Sequence, residues 1–367
     1  MIGDVTEADH LAFEPAAKPV PADERAKLLA DPGFGRVFTD HMAMIEYDEK
    51  EGWHDARITA RHPFKMDPAS PVLHYAQEIF EGMKAYRRPD GGAALFRPDA
   101  NARRFAKSAL RMAMPPLPEA MFLESVRALV RTDREWIPET DNGSLYLRPF
   151  MIANGSFLGM RPSTEFIYAV IASSVESYFS SDSPSVSLWV TREYVRAAPG
   201  GMGEAKCGGN YAGSLIAQAE AVRNGCDQVV FLDAVERRWV EELGGMNVFF
   251  VFADGSIQTP PLDGTILHGV TRDSLLTLAR DMGLTVREEP YSIDQWRADS
   301  TSGRVTEAFA CGTAAVVTPI GSVKGVDGAF TIGGQSIGPL TLRLRSALVD
   351  IQRGEAPDPY GWTDRVV

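Results

Sequence analysis

Residues 206–233, KCGGNYAGSLIAQAEAVRNGCDQVVFLD, indicate the fold class through their pattern of glycines and apolar residues. The middle part of this segment, 211–224, has the spacing of a helix. Four apolar residues share one face of this helix, which predicts that the face is buried: Leu215, Ile216, Ala219 and Val222. Gly225 stands where a glycine commonly ends a helix, and the apolar run at 228–233 predicts a strand. A glycine-rich turn, a helix and a strand in this order indicate a fold that mixes helices and strands.

The rest of the chain repeats this mixture of element types. Apolar runs rich in aromatic and β-branched residues predict strands at 143–152, 164–172, 186–195, 246–252 and 304–310. Helical spacing predicts helices at 101–113, 119–131 and 271–282. The fold class predicted from these elements is α+β or mixed α/β.

A cluster of Ser, Asp and Pro at 177–185, SYFSSDSPS, is typical of a loop and predicts a boundary between two domains. The polar, Pro- and Ala-rich beginning predicts a loosely held arm. We therefore expect an N-terminal arm at 1–33, a smaller N-terminal α/β domain at 34–176, an interdomain loop at 177–185 and a larger C-terminal domain, which carries Lys206, at 186–367.

Composition excludes several classes of protein. The 367 residues are 44% hydrophobic and 23% charged, which is ordinary for a globular protein and argues against disorder. The net charge of −12 and the lack of a basic stripe argue against binding to nucleic acid. The beginning, MIGDVTEADH, lacks the apolar core of a signal peptide, and no apolar run is long enough for a membrane span. Three cysteines without a CxxC pair argue against a disulfide scaffold, so a cytoplasmic setting is expected.

Several catalytic motifs are missing from the sequence. Ala205 and Cys207 flank Lys206 where a phosphate-binding P-loop needs glycine and a hydroxyl residue. The six histidines include no HExxH pair, and no GxSxG motif is present. The sequence therefore predicts neither a metal site nor a serine hydrolase.

Lys206 is the strongest candidate for a chemical role. It lies in APGGMGEAKCGGNYAGS, where glycines on both sides let the backbone approach a ligand closely. A lysine partly removed from water can act as a nucleophile on a carbonyl group. Local composition alone leaves open that this is a surface loop with an incidental lysine.

Three other segments could complete a site around such a lysine. Glu242 precedes two glycines and an apolar strand, where a carboxylate needs a partner such as a pyridinium nitrogen. Val270 and Thr271 begin a predicted helix, whose N–H groups and dipole favour an anion. Thr313 adds a hydroxyl in a turn of small residues. Taken singly, Glu242 also fits a rim carboxylate beside Glu241, and the helix start also fits an ordinary cap.

Together these segments resemble the branched-chain amino-acid aminotransferases. The resemblance runs from about Phe34 to about Arg353. It is carried by FGRVFTDHM (34–42), LHYAQEIFEGMKAYR (73–87), SLYLRPF (144–150), the block at 206–233, EELGGMNVFF (241–250), PPLDGTILHGVTRDSLL (260–276) and RVTEAFACGTAAVVTPI (304–320). That family uses pyridoxal 5′-phosphate on the two-domain fold of D-amino-acid aminotransferase, fold type IV. The resemblance therefore implies this fold, this cofactor and a homodimer.

The resemblance also implies roles for individual residues. Lys206 is expected to bind the cofactor covalently and to move the substrate proton, and Glu242 to face the pyridine nitrogen. Tyr211 is expected to bond the ring's phenolic oxygen. The phosphate is expected to be bound by Arg104, Val270, Thr271 and Thr313. Arg103 is adjacent in the sequence, and only the motif favours Arg104 over it.

The implied substrates are leucine, isoleucine or valine on one side and 2-oxoglutarate or glutamate on the other. An apolar pocket suits the branched side chains, and its predicted lining is Phe34, Phe80, Tyr146, Tyr178, Gly245, Met246, Ala314 and Ala315. Three further residues are expected to reach the pocket of a neighbouring subunit: Tyr75, Leu158 and Met160. The second carboxylate of glutamate needs a cation, and Arg148 is the candidate, although it could also belong to a structural ion pair.

Two alternatives stand beside this reading. A D-amino-acid aminotransferase or an aminodeoxychorismate lyase would have the same fold, but the block FTDHM (38–42) disfavours both. A protein that binds the vitamin phosphate without turnover would need neither Lys206 nor Glu242.

Overall fold

The computed structural model describes residues 11–176, 185–333 and 337–367. Tyr178, and all of the predicted loop at 177–185 except its last residue, lie outside the described residues.

Contacts between Cα atoms divide the chain into two compact units. The first unit consists of Met1–Tyr178, Ala205–Gly208 and Ile351–Val367, and the second of Phe179–Glu204 and Gly209–Asp350. The domain ranges given above rest on composition and stay a prediction. Two segments of the predicted C-terminal domain group with the first unit instead: Ala205–Gly208, which contains Lys206, and Ile351–Val367.

The strands and helices follow one another along the whole chain. In chain order the strands are β1 (Ala12–Phe13), β2 (Val37–Asp48), β3 (Gly52–Ala60), β4 (Glu78–Phe80), β5 (Met83–Arg87), β6 (Ala93–Phe96), β7 (Ser144–Ala153), β8 (Glu165–Val175), β9 (Val186–Val190), β10 (Gln228–Leu232), β11 (Val240–Glu242), β12 (Asn247–Phe252), β13 (Ile257–Thr259), β14 (Val286–Glu288), β15 (Val305–Gly312), β16 (Val316–Gly325), β17 (Gly328–Thr331) and β18 (Thr363–Arg365). The helices are α1 (Ala22–Leu29), α2 (Pro71–Tyr75), α3 (Pro98–Arg111), α4 (Glu119–Thr132), α5 (Gly208–Ala212), α6 (Leu215–Arg223), α7 (Val270–Asp281), α8 (Ile293–Ser302) and α9 (Pro339–Arg353).

Each unit contains one large sheet. In the first unit the strand order is β1-β3-β2-β8-β7-β5-β6-β18, and β4 pairs with β7 beside this path. In the second unit the order is β11-β10-β9-β16-β15-β12-β13-β14, with β17 on β16. The mixed α/β fold class predicted from the sequence is therefore confirmed.

Strand β7 shows how a short sequence positions a site. Successive side chains of a strand point to opposite faces of the sheet. Leu145, Leu147 and Met151 on one face are completely buried. Tyr146 and Arg148 on the other face are only partly buried. The alternation therefore separates residues that form the core from residues that remain partly exposed on the opposite face.

The buried face predicted for the helix in 211–224 is wrong. The segment forms α5 and α6, and Leu215, Ile216 and Val222 are exposed. Ala217 and Ala221 are buried instead, in a cluster that also contains residues of β9 and β10. Small alanine side chains let a helix approach a sheet closely, so their face packs and the larger residues point outward. The predicted end of the helix is confirmed, because Gly225 has a φ of 64°, a conformation that favours glycine.

The block FTDHM attaches the N-terminal segment to the sheet of the first unit. His41 Nε2 accepts a hydrogen bond from the N–H of Ala16 (3.1 Å), so Nδ1 donates to the carboxylate of Asp133 (2.7 Å). Asp40 accepts hydrogen bonds from the N–H of Val20 and from the indole of Trp136. These contacts give the block a structural role, because they hold the N-terminal segment through the N–H groups of Ala16 and Val20.

Candidate active site

Lys206 is fixed by its backbone within the first unit. Its N–H donates to Ser108 Oγ (3.0 Å) on α3, and its carbonyl accepts the N–H of Phe80 (2.9 Å) at the end of β4. Its Nζ lies 4.9 Å from the centre of the Phe80 ring. The lysine is therefore held between a helix and a strand and is not a side chain of a loose surface loop.

Gly208 lets the same segment pass close to Glu78. A Cβ atom at Gly208 would overlap Oε1 of Glu78, which accepts the backbone N–H of the glycine. Burial raises the pKa of Glu78, and the N–H of Gly208 and the charge of Arg148 partly oppose this effect. Glu78 is not among the predicted site residues, because a carboxylate at the start of a short strand has no distinctive sequence pattern.

Arg148 and three aromatic residues form a polar and aromatic cluster on one face of β7. Arg148 Nη2 donates to the hydroxyl of Tyr146 (3.0 Å). Its guanidinium carbon lies 4.9 Å from the ring centre of Phe80 and 5.4 Å from that of Tyr146. Phe34 packs edge-on against Tyr146 at 5.2 Å. Arg148 Nε is buried without a hydrogen-bond partner among the described residues, as expected of a donor oriented for a ligand.

Arg103 and Arg104 have very different surroundings. Arg103 is exposed and pairs with Asp99, one turn earlier on α3 (2.6 Å). Arg104 is buried and forms a bidentate pair with Glu81, with Nε–Oε1 and Nη2–Oε2 distances of 2.7 and 2.8 Å. The structure therefore agrees with the motif, because Arg104 lies in the interior and Arg103 lies at the surface.

Tyr75, Leu158 and Met160 lie at the surface of the first unit. The hydroxyl of Tyr75 donates to the carbonyl of Leu158, so the first two are neighbours. The exposed fraction is 65% for Leu158 and 90% for Met160. Exposed apolar side chains grouped in this way are typical of a surface that another molecule covers.

Glu242 is a buried carboxylate of the second unit with several polar partners. It ends β11 with 2% of its surface exposed, and its carboxylate contacts the guanidinium of Arg196. It also accepts hydrogen bonds from Asn247 Nδ2 (3.1 Å) and from the N–H of Leu267 (3.3 Å). Buried and bonded to a cation, the group is held in one orientation.

Arg196 also fixes the backbone around Glu242. Its guanidinium donates to the carbonyl oxygens of Gly203 (3.1 Å) and Thr265 (3.1 Å). Arg196 is not among the predicted site residues, because it stands 46 positions before its carboxylate partner and is one of many arginines.

Tyr211, Gly245 and Met246 are neighbours in the second unit. A Cβ atom at Gly245 would lie 3.3 Å from the Tyr211 ring, so glycine permits this close approach. Met246 lies against Gly312, which begins the turn that carries Thr313, Ala314 and Ala315. The predicted pocket residues of this unit are thus grouped around Tyr211 and this turn.

The turn after β15 and the start of α7 present the predicted phosphate donors. Gly269 caps α7 without a side-chain bond, and Val270 and Thr271 form its first turn. The other turn ends at Val316, whose φ of 58° is rare for a β-branched residue and costs about 1–3 kcal/mol. Backbone strain of this kind is common at ligand sites.

Around Glu241, the residue before Glu242, two short contacts of one hydroxyl compete for a single hydrogen. The hydroxyl of Thr265 lies 2.7 Å from Glu241 Oε1 and 2.8 Å from Asp263 Oδ1, but it has one hydrogen to donate. Glu241 Oε2 is buried without a partner among the described residues, and burial raises the pKa of Glu241. A neutral Glu241 resolves the conflict, because its hydrogen bonds to Thr265 and the hydroxyl hydrogen of Thr265 bonds to Asp263.

Each unit, taken by itself, presents side chains whose chemistry suits parts of pyridoxal phosphate. An amine suits the aldehyde, a buried carboxylate suits the pyridine nitrogen, and a phenol suits the phenolic oxygen. A guanidinium, two hydroxyls and a helix N-terminus suit the phosphate. Lys206 and Arg104 belong to the first unit, and Tyr211, Glu242, Val270, Thr271 and Thr313 to the second.

Known proteins resemble the chain along nearly its whole length. The family model of amino-transferase class IV matches residues 78–323. A probable branched-chain-amino-acid aminotransferase of Streptomyces coelicolor is 56% identical over 353 residues, which cover 96% of this chain and 97% of that protein. A branched-chain-amino-acid aminotransferase of Mycolicibacterium smegmatis is 52% identical over 362 residues, covering 97% and 98%.

Solved structures agree with these sequence relatives. The branched-chain amino acid aminotransferase of Escherichia coli matches with a TM-score of 0.74 and 28% identity, covering 89% of this chain and 99% of that one. The enzyme of Thermobaculum terrenum, solved in its PLP-bound form, matches with a TM-score of 0.71 and 25% identity, covering 89% and 98%. The chain therefore belongs to the class IV aminotransferases. Within this family it is a member of the branched-chain amino-acid aminotransferases, which use pyridoxal phosphate as their cofactor. Among the described residues, no helix combines the length and apolar character that crossing a membrane requires.

Proposed function

We propose that the chain catalyses the reversible transfer of the amino group of leucine, isoleucine or valine to 2-oxoglutarate. The products are glutamate and the branched 2-oxo acid, formed in branched-chain amino-acid biosynthesis or degradation. One observation carries the proposal: Lys206 Nζ and the guanidinium of Arg148 each lie 4.9 Å from the centre of the Phe80 ring. An amine for the reaction and a cation for a second carboxylate thus share one aromatic wall.

The proposed roles at the cofactor follow from residue chemistry. Lys206 binds the cofactor covalently, Tyr211 donates to its phenolic oxygen, and Glu242 faces its pyridine nitrogen. The phosphate is bound by Arg104, Val270, Thr271 and Thr313. When bound, the cofactor supplies the electron sink that allows the substrate Cα–H bond to break.

Lys206 and Glu242 divide the remaining chemistry. With the cofactor bound, the amine of Lys206 would take up the substrate's Cα proton and hold it for its return to the reacting molecule. Glu242 keeps its orientation through Arg196 and Asn247, so its charge is available to the ring without reorganisation.

The proposed substrate pocket combines apolar walls with one cation. Its lining comprises Phe34, Phe80, Tyr146, Tyr178, Gly245, Met246, Ala314 and Ala315. Branched aliphatic side chains contact these walls, whereas the γ-carboxylate of glutamate binds Arg148. The two rings beside the guanidinium stabilise its charge when an aliphatic substrate is bound.

The direct test follows the absorbance of the purified protein. Leucine should bleach the band of the cofactor bound to Lys206, and 2-oxoglutarate should restore it. A D-amino acid that causes the same change faster than leucine would favour the D-amino-acid enzymes of this fold. A spectrum that no amino acid changes would favour a binding protein.

We also propose a cytoplasmic homodimer whose two domains follow the ranges 34–176 and 186–367. Tyr75, Leu158 and Met160 would complete the pocket of the partner, which accounts for their exposure in the single chain. Dilution that produces monomers should therefore reduce activity in parallel with the dimer fraction, measured by mass photometry. Full activity of a demonstrated monomer would contradict the dimer proposal.

A further inference from the structure

We infer that Glu81 is a positioning residue that holds the guanidinium of Arg104 ready for the phosphate before the cofactor binds. The inference rests on the proposed function, in which Arg104 binds that phosphate. Glu81 itself would touch neither cofactor nor substrate, and it would act through Arg104.

Groups of the first unit surround the Glu81 carboxylate. The side chain is fully buried, with 0% of its surface exposed. Arg104 engages both carboxylate oxygens, at 2.7 and 2.8 Å, and Asn101 Nδ2 donates to Oε2 at 2.7 Å. The N–H of Gly82 also donates to Oε2, at 3.1 Å. Such a carboxylate fixes the plane of the guanidinium as well as its position.

Electrostatics keep Glu81 ionised despite its burial. Burial alone would raise its pKa, but the charge and hydrogen bonds of Arg104, the charge of Lys206 and the amide of Asn101 hold the pKa below the ordinary glutamate value. Arg104 is buried as well, and its positive charge needs compensation in a chain without cofactor. Glu81 supplies that compensation from the protein side.

The pair lies on the elements that also fix Lys206. Arg104 and Ser108 are one helical turn apart on α3, and Ser108 Oγ accepts the N–H of Lys206. Glu81 follows Phe80, whose N–H donates to the carbonyl of Lys206. The Glu81–Arg104 pair therefore keeps the guanidinium of Arg104, which would bind the phosphate, in a constant position relative to Lys206.

The experiment compares thermal unfolding of the full chain without cofactor, in chloride and in inorganic phosphate of equal ionic strength. Glu81→Gln leaves the charge of Arg104 less compensated, so its midpoint should fall by several degrees in chloride. Phosphate can replace the missing charge and should raise the midpoint of Glu81→Gln more than that of the unaltered chain. Glu81→Asp keeps the charge, so phosphate should raise its midpoint less than that of Glu81→Gln.

Asp133→Asn is the matched control, because it removes the charge of another buried carboxylate of the first unit, one that accepts hydrogen bonds from His41. Its midpoint should fall equally in both salts. The excess phosphate effect is the amount by which phosphate raises the midpoint of Glu81→Gln more than that of the unaltered chain. This excess should vanish in the double variant Glu81→Gln/Arg104→Met. An equal phosphate effect in the unaltered chain and Glu81→Gln would overturn the inference. If Glu81→Gln does not fold, Glu81→Asp decides. Its carboxylate is one methylene shorter and cannot keep both bonds to Arg104, so phosphate should raise its midpoint more than that of the unaltered chain, and an equal effect would overturn the inference.

A separate measurement keeps the two proposals distinguishable. Arg104→Met should weaken binding of pyridoxal phosphate about tenfold or more while leaving the affinity for pyridoxal, which lacks the phosphate, nearly unchanged. If Arg104→Met retains the full preference for pyridoxal phosphate, the proposed role of Arg104 fails. If that preference is lost but Glu81→Gln shows no excess phosphate effect, only the role of Glu81 fails.

Discussion

Replacing Arg148 with methionine should separate the two substrates of the reaction. Methionine keeps much of the apolar stem but removes the charge and every donor. In the structure one donor of Arg148 bonds Tyr146, and the buried Nε has no partner among the described residues. The γ-carboxylate of glutamate can use this donor, whereas the side chain of leucine has no group that can.

The expected magnitude follows from the bond that is lost. A hydrogen bond to a charged group contributes about 1.5–3 kcal/mol, which corresponds to roughly ten- to a hundredfold in affinity. We therefore expect Arg148→Met to raise the KM for glutamate and 2-oxoglutarate by that factor and the KM for leucine only a few-fold. Each half-reaction is measured separately by stopped-flow absorbance of the cofactor.

Two variants serve as controls for this prediction. Tyr146→Phe removes only the hydroxyl that Arg148 bonds, so it should affect glutamate less than Arg148→Met does. Arg148→Lys keeps the charge but loses the planar fork, so it should recover part of the glutamate affinity. Equal losses for leucine and glutamate in Arg148→Met would show that Arg148 is structural and that another group binds the γ-carboxylate.

Three further predictions concern the reacting groups and a buried acid. Lys206→Ala should abolish transamination in a folded protein, and near-normal turnover without an added amine would refute its role. Glu242→Gln should retain the cofactor but slow removal of the Cα proton, because an amide cannot stabilise a pyridinium; an unchanged single-turnover rate with leucine would contradict this. The raised pKa of Glu241 means that stability is lost as pH rises through its folded pKa, above the ordinary glutamate range. Glu241→Gln should remove that loss. The unfolding midpoint of Glu241→Gln, measured relative to that of the unaltered chain, should therefore rise as the pH rises. A difference between the two midpoints that does not change with pH would show that Glu241 is ionised throughout.

The sequence predicted what local patterns encode. Strand β7 is readable from a run of aromatic and β-branched residues, and it lies within one residue of the predicted segment at each end. The end of α6 at Gly225 is readable because glycine tolerates positive φ. The family resemblance pointed to Lys206 and Glu242 because it rests on ordered blocks of residues.

Tertiary partners could not be read in the same way. Glu81 and Arg104 are 23 positions apart, and nothing in the local sequence of either indicates a bidentate pair. The helical face in 211–224 was predicted wrongly because hydrophobicity alone ranks Leu215 above Ala217. Close packing against a sheet selected the smaller side chain instead.

The position of β18 has a consequence for biosynthesis on the ribosome. Strand β18 pairs with β6, with Asp364 opposite Leu95, and Trp362 packs edge-on against Phe96. A nascent chain therefore exposes the edge of β6 during translation of more than 200 further residues. Unpaired strand edges invite pairing with other chains, so during this interval the edge of β6 is open to such pairing. Synthesis stalled before residue 363 would release a chain whose first sheet still has an open edge.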